Sequence, residues 1–391
     1  MANRNTSPEK QTEQSQHINT STPFQSLKDL PITLSQSQCV LHKHEILICG
    51  GYGRRACYSY HTLKNEYKFI CEYPSDVYLE GHCVVKLVDN NNDKDSDKIT
   101  LLSFGSNFDG DYRHTLVMKY VSVWSNDSSE NEINKSNNYN QWVPFTDNQN
   151  HPIIIGDNDN YVGVRAVIGG SNNHLLFITY WEKNISVFNL NTFQVINDDT
   201  LPIDPYIYYH CFVSNSENEQ EKNKEKIYEM LLFYEDIRLS IEYDEDNNNF
   251  QFYELTVCDD IEPLHNYAYV CISDTIFFFG GNCYNNRSKS VYKYLIRENK
   301  LMTFENTLPS PLEYCAAILN EEDNNIHIIG GIDNEGKELT HMKTKVRIWD
   351  ASQLSKNEIK FIIQHWIGNL MIKLGWIDDF DRIIFKYSRM K

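Results

Sequence analysis

The chain has 391 residues, with 36 Lys+Arg against 54 Asp+Glu and a net charge of −18. That length supports two or three ordinary domains, or one large all-β domain with a sizeable core. An acidic surface repels phosphate backbones, which argues against nucleic acid as a main partner, and 13% aromatic residues argue against a chain disordered throughout.

Residues 1–20 are polar and lack the apolar core of a secretory signal, so they predict a disordered head. No later stretch reaches the roughly 18 consecutive apolar residues of a membrane span. The expectation is a cytoplasmic protein with no membrane partner. From there the chain is dominated by a repeat. Six apolar runs recur: EILICGG (45–51), ITLLSFGS (99–106), LLFITY (175–180), MLLFYE (230–235), TIFFFGG (275–281) and IHIIGG (326–331). Each follows another apolar run and precedes an alternating strand that closes on an aromatic residue: Tyr60, Tyr120, Phe188, Tyr243, Tyr294 and Trp349. In the first five units a turn and a fourth strand follow.

Four short strands per unit is the arithmetic of a propeller blade. The predicted fold is all-β, a six-bladed propeller spanning 21–352, with blades at about 37–73, 80–146, 163–197, 207–256, 265–305 and 312–350. The sixth unit has no fourth strand after Trp349. TPFQSLKDLP (22–31) resembles the fourth strand and exit of the fifth unit, so residues 22–29 are expected to complete the last blade and close the ring. Residues 353–391 change period. Ile359, Ile362, Ile363, Trp366, Ile367 and Leu370 fall at helical spacing and predict a helical segment. Its apolar face must be covered by the propeller or by another chain, and association through 355–390 is the favoured role.

Ten cysteines occur without any C-x-x-C, and Cys39, Cys83, Cys211, Cys271 and Cys315 fall in corresponding strands. They read as small buried hydrophobes, so neither disulfides nor a metal is expected.

The apolar strand, the Gly-Gly pair and the strand ending in an aromatic together resemble the kelch repeat. The match is best in Ile46–Gly51 with Tyr58–Tyr60, Ile276–Gly281 with Val291–Tyr294, and Ile326–Gly331 with Val346–Asp350. It covers about 330 residues and is degenerate in units 2, 3 and 4. The Asn-rich inserts, part of a total of 42 Asn, resemble those of kelch proteins from AT-rich protist genomes. The resemblance implies a propeller whose commonest use is to bind another protein.

In a ring of four-stranded antiparallel blades, the 2–3 loops and the inter-blade loops emerge on one face. The 1–2 and 3–4 loops emerge on the other. The latter carry polar inserts at 90–98, 125–138, 215–226 and 320–325, which read as solvated. The former gather Tyr52, Arg54, Arg55, Tyr112, Arg113, Trp181, Tyr284 and Arg287 from 2–3 loops. Inter-blade loops add Tyr78, Tyr161, Arg165, Tyr206, Tyr208, Tyr209, His265 and Tyr314. Tyr, Trp and Arg dominate binding hot spots, and the arginines would suit a partner bearing carboxylates.

The expected function is therefore a non-catalytic protein-interaction scaffold, without cofactor or catalytic residues, whose partner is an unidentified protein. One alternative is an enzyme using the central opening, resembling the copper oxidases of this fold, with His82, His210, His265 and Tyr209 near it. No His-x-His pair supports copper. Another is a family member that keeps the fold with little selected binding. The acidic run Asp244-Glu245-Asp246 reads as a solvated turn.

Overall fold

The computed structural model describes residues 23–88, 98–124, 138–204, 206–215, 226–255, 265–284, 286–336 and 339–350. The head, the helical segment expected at 353–391, and most of the inserts at 90–98, 125–138 and 215–226 lie outside them.

Six four-stranded antiparallel sheets form the body. Blade 1 runs Gln38–His42, Glu45–Gly51, Arg54–His61 and Glu66–Glu72 from the centre outward. The inner strands of blades 2 to 5 are Cys83–Leu87, Arg165–Gly169, Cys211–Ser214 and Ala268–Ile272. Blade 6 is Glu313–Asn320, Asn325–Ile332 and His341–Lys345. Its outer strand is Gln25–Ser26, which pairs antiparallel with Met342 and Lys343, so the N-terminal segment closes the ring as the repeat predicts.

The sixth unit departs from expectation in one respect. Val346–Trp349 forms a single helical turn, not the third strand, and that strand lies earlier, at His341–Lys345. The aromatic still enters the core. Trp349 is buried against Phe24, Phe279 and Phe304, and its indole N–H donates to the Thr344 hydroxyl at 2.9 Å. Blade 5 carries an added hairpin, Asn282–Cys283 with Asn286–Arg287, between its second and third strands.

The core is cyclic. Among the described residues six hydrophobic clusters occur, one between each pair of neighbouring blades. The second strands show why those runs are continuously apolar. Leu175 and Phe177 enter the cluster shared with blade 4, whereas Leu176 and Ile178 enter the one shared with blade 2. Successive strand residues point to opposite faces, and here both faces meet a blade, so no position can be polar by default.

The Gly-Gly pairs have a steric cause. At Gly280 the backbone is left-handed (φ +66°), and a Cβ would stand 2.3 Å from the Leu312 carbonyl oxygen of the approaching inter-blade loop. Gly281 N–H then donates to that same carbonyl at 2.7 Å. Blades 3 and 4 lack the glycines but keep the left-handed turn at Glu182, Lys183 and Glu235. The aromatics that end third strands also have a local task. Tyr60, Tyr243 and Tyr294 donate their hydroxyls to Asn65, Asn248 and Asn299, each five residues on and left-handed in the 3–4 turn. Asn tolerates that conformation better than most residues, which explains part of the Asn enrichment.

Candidate functional site

Two residues ahead of the inner strands of blades 1 to 5 stand Gln36, Gly81, Gly163, Tyr209 and Asn266, and Tyr314 is the second residue of the inner strand of blade 6. All six are left-handed, with φ between 52° and 62°. Backbone hydrogen bonds link them from blade to blade: Gln36 N–H to the Tyr314 carbonyl at 2.9 Å, Tyr314 to Asn266 at 2.8 Å, and Tyr209 to Gly163 at 2.9 Å. Only two of the six are glycine. For bulky Tyr209 and Tyr314 this conformation costs about 1–3 kcal/mol each.

Tyr209 fills the middle. Its hydroxyl donates to Gln36 Oε1 at 3.1 Å, and its ring meets Tyr314 edge-on at 5.2 Å between centroids. The Arg165 guanidinium lies 5.9 Å from the same ring. A Cβ on Gly81 would stand 2.2 Å from Tyr209 Cε1, so the glycine of blade 2 is the space this ring occupies. A cavity of about 180 Å³ lies beside it, lined by Arg165, Tyr209, Asn266, Tyr269, Tyr314 and the segment 36–39, among others.

Around the opening, exposed and half-buried aromatics form two runs, one of which leads in to the buried Tyr209. Tyr52 packs on Tyr78, and Tyr78 on Tyr112, with centroids 6.1 and 6.2 Å apart. Phe108 packs on Trp181, which meets both Tyr206 and Tyr208, and Tyr208 leads inward to Tyr209. Tyr112 and Phe108, which end the two runs, are both well exposed, at 60% and 58%. Thus Tyr52, Tyr78, Tyr112, Trp181, Tyr206, Tyr208, Tyr209 and Tyr314 are brought together. Tyr284 stands apart on the added hairpin, 81% exposed.

The cations are distributed unevenly. Exposed Arg54 donates to the Thr33 hydroxyl, Arg55 lies 3.7 Å from Glu72, and Arg113 donates to the Asp159 carbonyl. Arg287 is held by Glu313 at 2.7 Å, and His265 lies 3.6 Å from Glu235. Tyr161 is the clear correction to the expected face. It is 2% exposed, packed against Phe104 and Tyr180 between blades 2 and 3, and offers no surface. Glu245 is a second correction. It is not a solvated turn residue, since its carboxylate accepts from the backbone N–H and hydroxyl of Ser171 in blade 3, both at 2.9 Å.

The histidines at strand starts turn away from the axis. His82 Nε2 meets the Cys49 carbonyl at 3.0 Å in blade 1, and His210 Nε2 meets the Thr179 hydroxyl at 2.6 Å in blade 3. Burial pushes His82 down to about 3, helped by His114 and Arg165, and burial with Arg165 holds His210 well below its ordinary value. Both are neutral inter-blade fasteners. The nine described cysteines are free thiols.

Phe108, Gln36 and Asn266 escaped the reading of the sequence. The last two share their left-handed register with Tyr209 and Tyr314 of other blades, and that register would have found them.

These features define a six-bladed β-propeller with an aromatic-rimmed opening. Neither a protein-family model nor a curated protein matches the chain. Among solved structures it is similar to that of YjhT, with a TM-score of 0.53 and 13% identity over 81% of this chain and 95% of that one. At that identity the likeness speaks for the fold alone. Among the described residues no helix is long and apolar enough to cross a membrane.

Proposed function

We propose that this propeller is a cytoplasmic, non-catalytic scaffold of kelch type that docks a partner protein on the face carrying the 2–3 and inter-blade loops. The observation that carries the reading is the pair of aromatic runs. Exposed aromatic rings packed against one another are costly to leave in water unless something covers them, and Tyr and Trp supply contact area at low conformational cost. Exposed Arg54 and Arg113 flank the runs on an acidic protein, which favours a partner segment bearing carboxylates. The Gly-Gly turns of blades 1, 5 and 6 support the kelch-type repeat, and free thiols suit a reducing compartment.

The test is affinity purification with mass spectrometry, comparing the wild type with Tyr112→Ala/Trp181→Ala. A second variant, Leu63→Ala/Lys64→Ala in an exposed turn on the opposite face, serves as control. Partners lost only from the first variant support the face. Partners retained equally by all three would sink it.

A further inference from the structure

We infer that the cavity beside Tyr209 is a binding site for a single carboxylate that carries a neighbouring hydrogen-bond donor, with Arg165 as its charge partner. This goes beyond the docking of a protein on the outer rim and stands whether or not that docking occurs.

Arg165 is the starting point. Among the residues lining the cavity it alone carries a charge. Its guanidinium donates to the Val164 carbonyl at 2.7 Å and, among the described residues, pairs with no carboxylate. Two acids act on this region, Glu80 on Tyr209 and Tyr314, and Glu313 on Tyr314 and Cys315. Both are already engaged: Glu80 accepts from the Phe108 N–H at 3.0 Å, and Glu313 from the Arg287 guanidinium at 2.7 Å. An unpaired charge in a half-buried site is destabilising unless an anion completes it. The field of Arg165 acts on the Tyr209 and Tyr269 hydroxyls, on His82 and His210, and on Cys83 and Cys211. It is therefore the dominant charge at the centre of the ring.

The second observation is the polar lining. Asn266, which lines the cavity, is 4% exposed, and among the described residues its Oδ1 has no hydrogen-bond partner. Buried polar atoms are nearly always satisfied, so it marks where a solute or ordered water belongs. Asn266 Oδ1 can only accept. The occupant must then donate to it, as a hydroxyl or ammonium does, while its carboxylate accepts from Arg165. The third observation is conformational. Tyr209 and Tyr314 hold left-handed backbone that glycine occupies in blades 2 and 3, and strain of that kind concentrates at ligand sites.

Size narrows the class. About 180 Å³ is below the ~300–1,000 Å³ of drug-sized pockets. It admits a small hydroxy or amino acid, or the carboxylate end of one peptide segment. The chemistry is the same for both sources.

The experiment uses the full-length protein and isothermal titration with L-lactate, D-gluconate, glycine and acetate. In parallel it uses a short peptide with a free C-terminal carboxylate and its amidated twin. The expected result is saturable binding of at least one hydroxy or amino acid, tighter than acetate, and at least a tenfold loss of affinity in Arg165→Met. If only the free-carboxylate peptide binds, amidation and Arg165→Met each abolish it, and the source is a partner chain. Arg165→Met must keep the wild-type melting temperature within a few degrees, because it removes an unpaired charge. Should that variant unfold, Arg165→Lys, which keeps the charge but loses the planar fork, reads the same loss. Binding unchanged in the Arg165 variants, or no binding by any probe, overturns the site. Tyr112→Ala/Trp181→Ala leaves the titration unaltered, which separates this site from failure of the docking face.

Discussion

The Tyr209 hydroxyl donates to Gln36 Oε1 at 3.1 Å, joining blade 4 to blade 1 across the axis of the ring. One side chain thereby touches elements far apart in sequence, because its ring also contacts Tyr314 of blade 6 and occupies the space left by Gly81 of blade 2. A propeller with six blades leaves a hole along its axis, and here a tyrosine from one inter-blade loop closes it.

That arrangement predicts a coupled pair. Gly81→Ala places a methyl group 2.2 Å from Tyr209 Cε1 at a left-handed position, so it destabilises by ~2–4 kcal/mol through overlap plus backbone strain. Tyr209→Ala loses buried ring contacts and is destabilising by itself. The double variant Gly81→Ala/Tyr209→Ala is expected to be more stable than the sum of the two, by about 1 kcal/mol or more, in urea unfolding. Strict additivity would show that the ring does not occupy that space.

Acid sensitivity should arise at the seam between blades 6 and 1. His341 Nδ1 lies 2.5 Å from the Tyr67 hydroxyl, whose oxygen is 3.1 Å from the Lys28 carbonyl. His341 Nε2 lies 2.9 Å from His327 Nδ1. With both rings neutral, one proton arrangement satisfies all three contacts: Tyr67 donates to Lys28, His341 Nδ1–H donates to Tyr67, and His327 Nδ1–H donates to His341 Nε2. Burial lowers His327 to about 4 and holds His341 well below its ordinary value. A base whose folded pKa is depressed binds more protons when unfolded. The stability it contributes is complete above pH ~6.5 and is lost as pH falls toward 4. His82 and His114, lowered to about 3 and about 4, add to the same slope. Melting temperature is expected to fall steeply between pH 6.5 and 4, and less steeply in His327→Gln. A flat profile across that window would contradict the neutral network.

Much of this ring was readable from the residues because the physics of a blade repeats. Second strands buried on both faces show as unbroken apolar runs, and Gly-Gly marks a turn that an incoming carbonyl crowds, as at Gly280. The N-terminal closure was legible because 22–31 resembles the exit of blade 5. What could not be read was geometry that depends on neighbours across the ring. VRIW has strand-like composition, yet the chain coils there and sends Trp349 against Phe24. Tyr161 and Tyr206 look alike in sequence. One is packed between blades and the other is on the rim, because the 145–164 connection folds back on blade 2, with Ile153 donating to the Phe145 carbonyl. The central cavity was the least legible part, since Gln36, Gly81 and Tyr209 share a register but no chemistry.

A buried carboxylate between blades 1 and 2 gives a further test. Glu45 accepts from the hydroxyls of Ser59, at 2.7 Å, and Tyr120, and Trp124 Nε1–H donates to Ser59 Oγ at 2.9 Å. Glu45→Ala strands two hydroxyl donors in a buried site, and each orphaned group costs ~1–3 kcal/mol. The expected loss is about 2–4 kcal/mol in denaturant unfolding. Tyr120→Phe removes one donor and leaves the carboxylate with Ser59, so it should cost ~1 kcal/mol. Equal losses from the two variants would refute this partition.

Closure of the ring rests on a strand of only two residues, Gln25–Ser26. Gln25 and Ser26 pair with Lys343 and Met342, Leu27 N–H donates to the His341 carbonyl, and Phe24 is buried between Phe279 and Trp349. Phe24→Ala empties a site shared by blades 5 and 6 and should cost ~3 kcal/mol or more. Removing residues 1–20 leaves every one of these contacts in place and should leave unfolding unchanged. Removing residues 1–30 takes the outer strand from blade 6, uncovers Trp349 and exposes the edge at His341–Lys345 to pairing with another chain. The shorter truncation is expected to match the full chain in light scattering and to unfold in the same transition. The longer one is expected to unfold at lower temperature and to aggregate, as read by light scattering. A longer truncation that melts like the full chain would show that the ring closes without its N-terminal strand.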